Sequence, residues 1–143
     1  MWTVEEPGLD FYRRYVGGSA LGTYYCLKEI PKGADSLGAE NVIAFSGSVI
    51  TGAPVPFLSR ISITSKSPLT GGIGDSQAGG WFAPKMKFTG FDAIIVKGKA
   101  EKPVYLWINN GKVEIKDATH LWGEDIGTAE SIIREEVQEK TQE

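Results

Sequence analysis

The stretch from residue 60 to residue 95, RISITSKSPLTGGIGDSQAGGWFAPKMKFTGFDAII, constrains the fold more than any other part of the chain. Ile61 and Ile63 alternate with polar neighbours behind a basic Arg60, which predicts a half-buried strand over 60–65. Ser67-Pro68-Leu69-Thr70 then reads as a turn. The next segment, Thr70 to Gly80, holds five glycines in eleven residues and reads as a loop. A short helical pattern follows. Pro84 has no N–H to give and is tolerated only in a first turn, so the regular helix is expected to begin near Ala83. The run DAIIVKG over 92–98 is the next strand.

Around this centre the pattern is helical at both ends. Leu9, Tyr12 and Val16 fall on one helical face, and Gly17-Gly18 interrupts it. Leu21, Tyr24, Tyr25 and Leu27 start a second helix that ends at Ile30-Pro31, because the residue before a proline avoids helical dihedrals. NVIAFSG over 41–47 is a buried strand and TGAPVP over 51–56 a turn. VYLWI and KVEI flank Asn109-Asn110-Gly111, a β-hairpin signature, since Asn and Gly accept the positive φ of a tight turn. The last helix spans 127–137 with Thr128 as its N-cap, and the polar residues 138–143 are expected to fray. A strand-rich middle between helical ends predicts an α+β domain with mixed or antiparallel β-sheets and flanking helices.

At 143 residues the chain is long enough for one domain with its own core. The net charge is −3 and there is no basic block, which argues against a nucleic-acid partner. The single cysteine, Cys26, excludes an intramolecular disulfide. Neither a signal-peptide pattern nor a run of about 18 apolar residues is present, so the expectation is a cytoplasmic protein with no membrane partner.

Few residues could carry chemistry. Glycines in the 70–80 loop would let backbone N–H groups approach an anion. Neither standard phosphate motif is complete: Gly72-Ile73-Gly74 opens a dinucleotide fingerprint, but Gln77 stands at its third glycine position, and no Gly-Lys-Ser/Thr follows. A purely structural turn is the plainer reading of that loop. The fork of Arg60 suits a phosphate, although a solvated surface arginine is the plainer reading again. Cys26 reads as a buried helix-face residue, and an iron–sulfur cluster normally needs four ligands. His120, the only histidine, is a capping or surface residue. Trp81, Phe82 and Trp107 read as core.

The landmarks Val16-Gly17-Gly18, Lys66-Ser67-Pro68-Leu69-Thr70-Gly71, Gly79-Gly80-Trp81-Phe82, MKFTGFDAII over 86–95, Gly98-Lys99-Ala100, Pro103-Val104-Tyr105 and Leu121-Trp122-Gly123 occur in a specific order and spacing. In this the chain resembles the N-terminal domain of the tungsten-containing aldehyde ferredoxin oxidoreductases. The resemblance implies an enzyme that oxidises aldehydes to carboxylic acids and passes electrons through a [4Fe–4S] cluster to ferredoxin. It also implies a tungstopterin cofactor, in which tungsten or molybdenum is held by the dithiolenes of two pterins.

By the same resemblance Arg60 and Gly79 would contact a pterin. Gln77 would stand where the family has an asparagine that ligates a metal ion bridging the pterin phosphates. Glutamine keeps the amide oxygen but carries it one methylene further out. Family members open with a strand-and-turn segment and continue past residue 143, so residues 1–143 would be a partial domain. The cluster cysteines and substrate pocket would lie elsewhere, on remaining enzyme domains carried by a separate chain, and residues 1–143 alone would lack activity. The alternative is a non-catalytic β-rich module that self-associates as a homo-oligomer or binds a partner through exposed sheet edges.

Overall fold

The computed structural model describes residues 1–141. They divide into two compact units, residues 1–99 with 108–112, and residues 100–107 with the described residues from 113 onward. Among the described residues no helix is long and apolar enough to cross a membrane.

The first unit is an antiparallel sheet with a helix against each face. Its strands are β1 (Val42–Ser46), β2 (Ile61–Lys66), β3 (Ile73–Ala78) and β4 (Ala93–Lys97), in the order β3-β2-β1-β4. The register sets Ala44 opposite Thr64 and Ser46 opposite Ser62 across β1 and β2. It sets Thr64 opposite Asp75 and Ser62 opposite Gln77 across β2 and β3. Side chains alternate along a strand, so Ala44, Ser46, Ser62, Thr64, Asp75 and Gln77 share one face. The opposite face carries Phe45, Ile61, Ile63 and Ile94, which pack with Ala83 and Met86 of α3 (Phe82–Phe88).

The helix α2 (Gly18–Glu29) covers the first of these faces. Gly18, Gly22 and Cys26 recur every four residues, which puts them on one stripe of that helix. The Ser46 hydroxyl donates to the Gly18 carbonyl at 2.8 Å, and the Cys26 thiol donates to the Thr64 carbonyl at 3.5 Å. A Cβ on Gly22 would lie 2.3 Å from Thr64 Oγ1. Small residues thus let helix and sheet approach until hydroxyls reach backbone. Burial pushes the Cys26 thiol pKa up, as expected of a helix-face residue rather than a nucleophile.

This packing revises the reading of β2 as half-buried. Ser62 and Thr64, the polar residues of the alternation, are buried, and Thr64 is 0 % exposed, whereas Ile63 is only half-buried. Both faces of the strand are covered, and the polar face meets the closer helix.

The helix α1 (Leu9–Tyr15) differs from expectation in its packing. Leu9 and Val16 are exposed, and the contacts come from Phe11, Tyr12 and Tyr15. Phe11 stacks edge-on against Tyr24 of α2 with ring centroids 4.9 Å apart, and Tyr12 donates to Asp92 at 3.2 Å. Leu27 is likewise exposed, while Leu21 and Tyr25 are buried. Burial, followed by the charge of Glu5, pushes the Tyr25 phenol up to about 12. The two helices join at Val16, in the left-handed region (φ 56°), and Gly17 (φ 109°). Gly17 bridges to Ser48, and a Cβ on it would lie 2.4 Å from the Gly47 carbonyl.

The expected strands over 41–47 and 92–98 are β1 and β4. The element not foreseen is β3, in a segment read as loop. Its Gly, Asp, Ser, Gln and Ala have low strand propensity, and hydrogen bonding to β2 makes the strand instead. In α3, Pro84 occupies the first turn, where the first intrahelical bond runs from Lys85 N–H to the Trp81 carbonyl and no proline N–H is required.

The hairpin forms as read. Its arms are β5 (Val104–Asn109) and β6 (Lys112–Asp117), joined through Asn110 (φ 48°) and Gly111 (φ 76°). In the second unit a 3-10 turn (Thr119–Leu121) precedes α4 (Ile126–Thr141). Glu136 of α4 accepts from the Tyr105 hydroxyl at 2.9 Å and pairs with His120 Nε2 at 2.7 Å. Lys116 lies over the Trp107 ring, 5.0 Å from its centroid, and that ring is half-buried.

The N-cap of α4 is Asp125, not Thr128. Its Oδ1 accepts from the N–H groups of Gly127 at 2.9 Å and Thr128 at 3.1 Å, and its Oδ2 accepts from the Thr128 hydroxyl at 2.6 Å. A carboxylate both accepts these bonds and faces the positive end of the helix dipole. The expected fraying of 138–143 falls partly on residues 142–143, which lie outside the described residues. The α4 backbone is helical through Thr141.

Two measurements test this account. Gly22→Ala is expected to destabilise the chain by about 1–3 kcal/mol through overpacking. Thr64→Ala added to it should recover part of that loss in a denaturant titration, whereas simple additivity would place the contact elsewhere. The hydrogen bonds from Thr128 and Gly127 hold the Asp125 carboxyl below its ordinary 3.8. Its contribution to α4 is therefore complete above that value and lost as pH falls through the lower folded value. Asp125→Ala should lower the melting temperature at neutral pH, and the difference from the wild type should vanish in strong acid.

Candidate functional site

The residues singled out from the sequence meet at the β3 edge of the first unit. Arg60 immediately precedes β2, Gln77 lies near the end of β3, and Gly79 follows that strand. Arg60 Nη1 donates to Gln77 Oε1 at 3.3 Å. Both side chains are exposed. Gly79 is also exposed, and a Cβ built on it would meet no atom within 4 Å. Gly80 has φ 104°, a conformation that favours glycine. Glycines 79 and 80 thus leave the backbone bare beside a guanidinium.

Polar residues not flagged from the sequence complete the arrangement. Gln77 Nε2 donates to Asp75 Oδ2 and to Ser19 Oγ, each at 3.4 Å. Ser19, near the start of α2, donates to Asp75 Oδ2 at 2.9 Å. The other Asp75 oxygen accepts from the buried Thr64 hydroxyl at 3.1 Å. Asp75 and Gln77 are two residues apart on one strand and so point the same way. The i, i+2 spacing would have revealed the pair, had residues 73–78 been read as a strand.

Beyond the glycines stand two aromatic side chains expected in the core. Trp81 is 77 % exposed and Phe82 is 58 % exposed. Inward positions of α3 are taken by Ala83 and Met86, so the aromatic pair is left outside. Elsewhere, His120 is a partly exposed side chain paired with Glu136, in keeping with a surface role.

The arrangement suits an anionic, partly planar ligand. It offers a guanidinium whose other N–H groups remain available, a backbone stretch that no side chain shields, and nearby aromatic surface. A pterin carrying a phosphate has this character, so the residues fit it. A metal ion fits less well. The amide oxygen of Gln77 already faces a cation, the Arg60 guanidinium.

The family described as "Aldehyde ferredoxin oxidoreductase, N-terminal domain" matches residues 1–143. A tungsten-containing aldehyde ferredoxin oxidoreductase of Pyrococcus furiosus is 41 % identical over 134 residues, covering 94 % of this chain and 22 % of the relative. An aliphatic sulfonate oxidoreductase, WOR-like subunit, of the same organism is 40 % identical over 121 residues, covering 82 % of this chain and 19 % of the relative. Among solved structures, the BamBC active-site complex of benzoyl coenzyme A reductase with 1,5-dienoyl-CoA superposes with a TM-score of 0.88 at 33 % identity, covering 93 % of this chain and 20 % of that one. The α+β fold of antiparallel sheets with flanking helices is therefore shared, and the chain spans about a fifth of the length of the relatives it matches. The chain belongs to the aldehyde ferredoxin oxidoreductase family, in which it corresponds to the N-terminal domain.

Proposed function

We propose that residues 1–143 form the cofactor-holding N-terminal portion of a tungstopterin, or molybdopterin, aldehyde:ferredoxin oxidoreductase. The observation that carries this reading is the exposed Arg60 guanidinium beside the bare backbone of Gly79 in a chain of this family. Arg60 would neutralise a pterin phosphate, and the backbone at Gly79 would lie against the ligand. The cofactor supplies the two-electron chemistry when bound. What this chain contributes is binding and orientation.

The remaining steps need groups from other domains, on this reading. With one cysteine the chain cannot ligate a [4Fe–4S] cluster by itself. Aldehyde oxidation and electron delivery to ferredoxin would belong to the complete cytoplasmic enzyme, in which the other domains join this one. Residues 1–143 alone would be catalytically silent.

When co-expressed with the remaining domains in cells supplied with tungstate, the chain is expected to carry tungsten and pterin stoichiometrically. Arg60→Ala should lower pterin content. So should Gly79→Val, whose side chain would enter open space and leave the fold intact. Full pterin retention by both variants would defeat the assignment.

A second reading, self-association, is favoured by the exposed edge of β3, which pairs with β2 on one side alone among the described strands. Light scattering across a dilution series separates the two. A mass that rises with concentration supports association, and a constant monomer mass rejects it.

A further inference from the structure

We propose that Asp75 is a positioning residue for Arg60, acting through the Gln77 amide, and that Gln77 in this chain orients the arginine instead of ligating a metal ion. The proposal rests on the reading of Arg60 as the residue that holds an anionic group.

The chain of hydrogen bonds runs in one direction. Thr64 is fully buried, and its hydroxyl donates to Asp75 Oδ1. Ser19 Oγ donates to Asp75 Oδ2, so the carboxylate is held from two elements, β2 and α2. Asp75 Oδ2 and Ser19 Oγ then accept from Gln77 Nε2. An amide whose nitrogen is committed to acceptors must present its oxygen the other way. That oxygen faces Arg60 Nη1, a donor that carries positive charge.

Each link strengthens the next. A carboxylate behind the amide nitrogen polarises the amide and makes its oxygen a better acceptor for a guanidinium. Arg60 uses one N–H in this bond and keeps the others for a ligand. The negative charge of Asp75 stays one amide length behind the arginine, so it orients the fork without facing the anion that the fork would bind.

The same geometry opposes a divalent ion at Gln77. An ion on Oε1 would displace Arg60 or lie beside its positive charge. The carboxylate oxygen that meets the same amide, Asp75 Oδ2, already accepts from Ser19 and Gln77. A glutamine in place of asparagine has the length to reach between carboxylate and guanidinium.

The test is nitrogen-resolved NMR of the full chain, comparing wild type with Asp75→Asn and Gln77→Leu. Backbone amide spectra check that each variant folds. In the wild type, the Arg60 side-chain N–H signals are expected to be resolved and slow to exchange. In both variants they should collapse to those of an unrestrained arginine. Unchanged Arg60 signals in Asp75→Asn would overturn the positioning role. Magnesium chloride titrated into the wild type should leave the Gln77 side-chain amide unmoved, and a saturable shift there would overturn the statement about metal.

Pyrophosphate, used as the probe anion, should shift the Arg60 signals, and Asp75→Asn should weaken that binding by about tenfold, the order expected for one charge-assisted hydrogen bond. Binding unaltered by Asp75→Asn would also count against the proposal. Restrained Arg60 signals in a wild type that ignores pyrophosphate would uphold the positioning chain while defeating the cofactor reading on which it rests.

Discussion

The close approach of α2 to the sheet is the constraint on which the rest of the first unit depends. It is made possible by Gly18 and Gly22, which bring the helix backbone onto Ser46 and Thr64. Where Gly22 meets Ser46 and Thr64 there is no room for a larger side chain on the helix. Hydroxyls fill the contact, and each finds a partner, so no buried side-chain N or O among the described residues is left without a hydrogen bond. A satisfied hydroxyl contributes about 1 kcal/mol, whereas an orphaned one costs more than that. The helix position then fixes Ser19 over β2 and β3, and with it the Asp75 carboxylate.

The two faces of the sheet are consequently unlike. On one side α3 closes an apolar layer of Ile61, Ala83 and Met86. On the other, the interior is hydroxyl-rich and grades without a break into the exposed group of Asp75, Gln77 and Arg60. A buried polar layer of this kind links core to surface. The threonine that is most buried is also the one that holds the outermost carboxylate. Stability and site geometry therefore share residues, and a substitution in the layer acts on both.

Much of this architecture was legible in the sequence, and the exceptions have physical causes. The hairpin was readable because Asn110-Gly111 has few alternatives to a tight turn. Strands β1 and β4 were readable because their runs are apolar. Strand β3 was not, since nothing in Gly-Asp-Ser-Gln-Ala favours extension until β2 supplies a ladder. The exposure of Leu9 and Val16 was hidden because helical spacing names a face but not its partner, and aromatic packing by Phe11 and Tyr15 took the contact instead. Arg60, Gln77 and Gly79 were singled out by family resemblance, and the structure brings them to one edge. Their supporting residues Asp75, Ser19 and Thr64 could not be seen without the register that joins three separate segments. Trp81 and Phe82 were misjudged for a related reason, since composition favours burial but cannot say which side of a seven-residue helix faces inward.

The alternation of β3 carries one more consequence. Asp75 and Gln77 lie on the α2 side because the turn through Gly71 and Gly72 delivers the strand to β2 with a particular parity. Adding or removing one residue in that turn, with the pairing shifted to match, would send both side chains to the α3 side while leaving composition almost unaltered. Which face the two side chains reach is thus set by the parity of the turn as well as by their identity. The arrangement is written as an odd-or-even count along the backbone, and the glycine turn is where that count is kept.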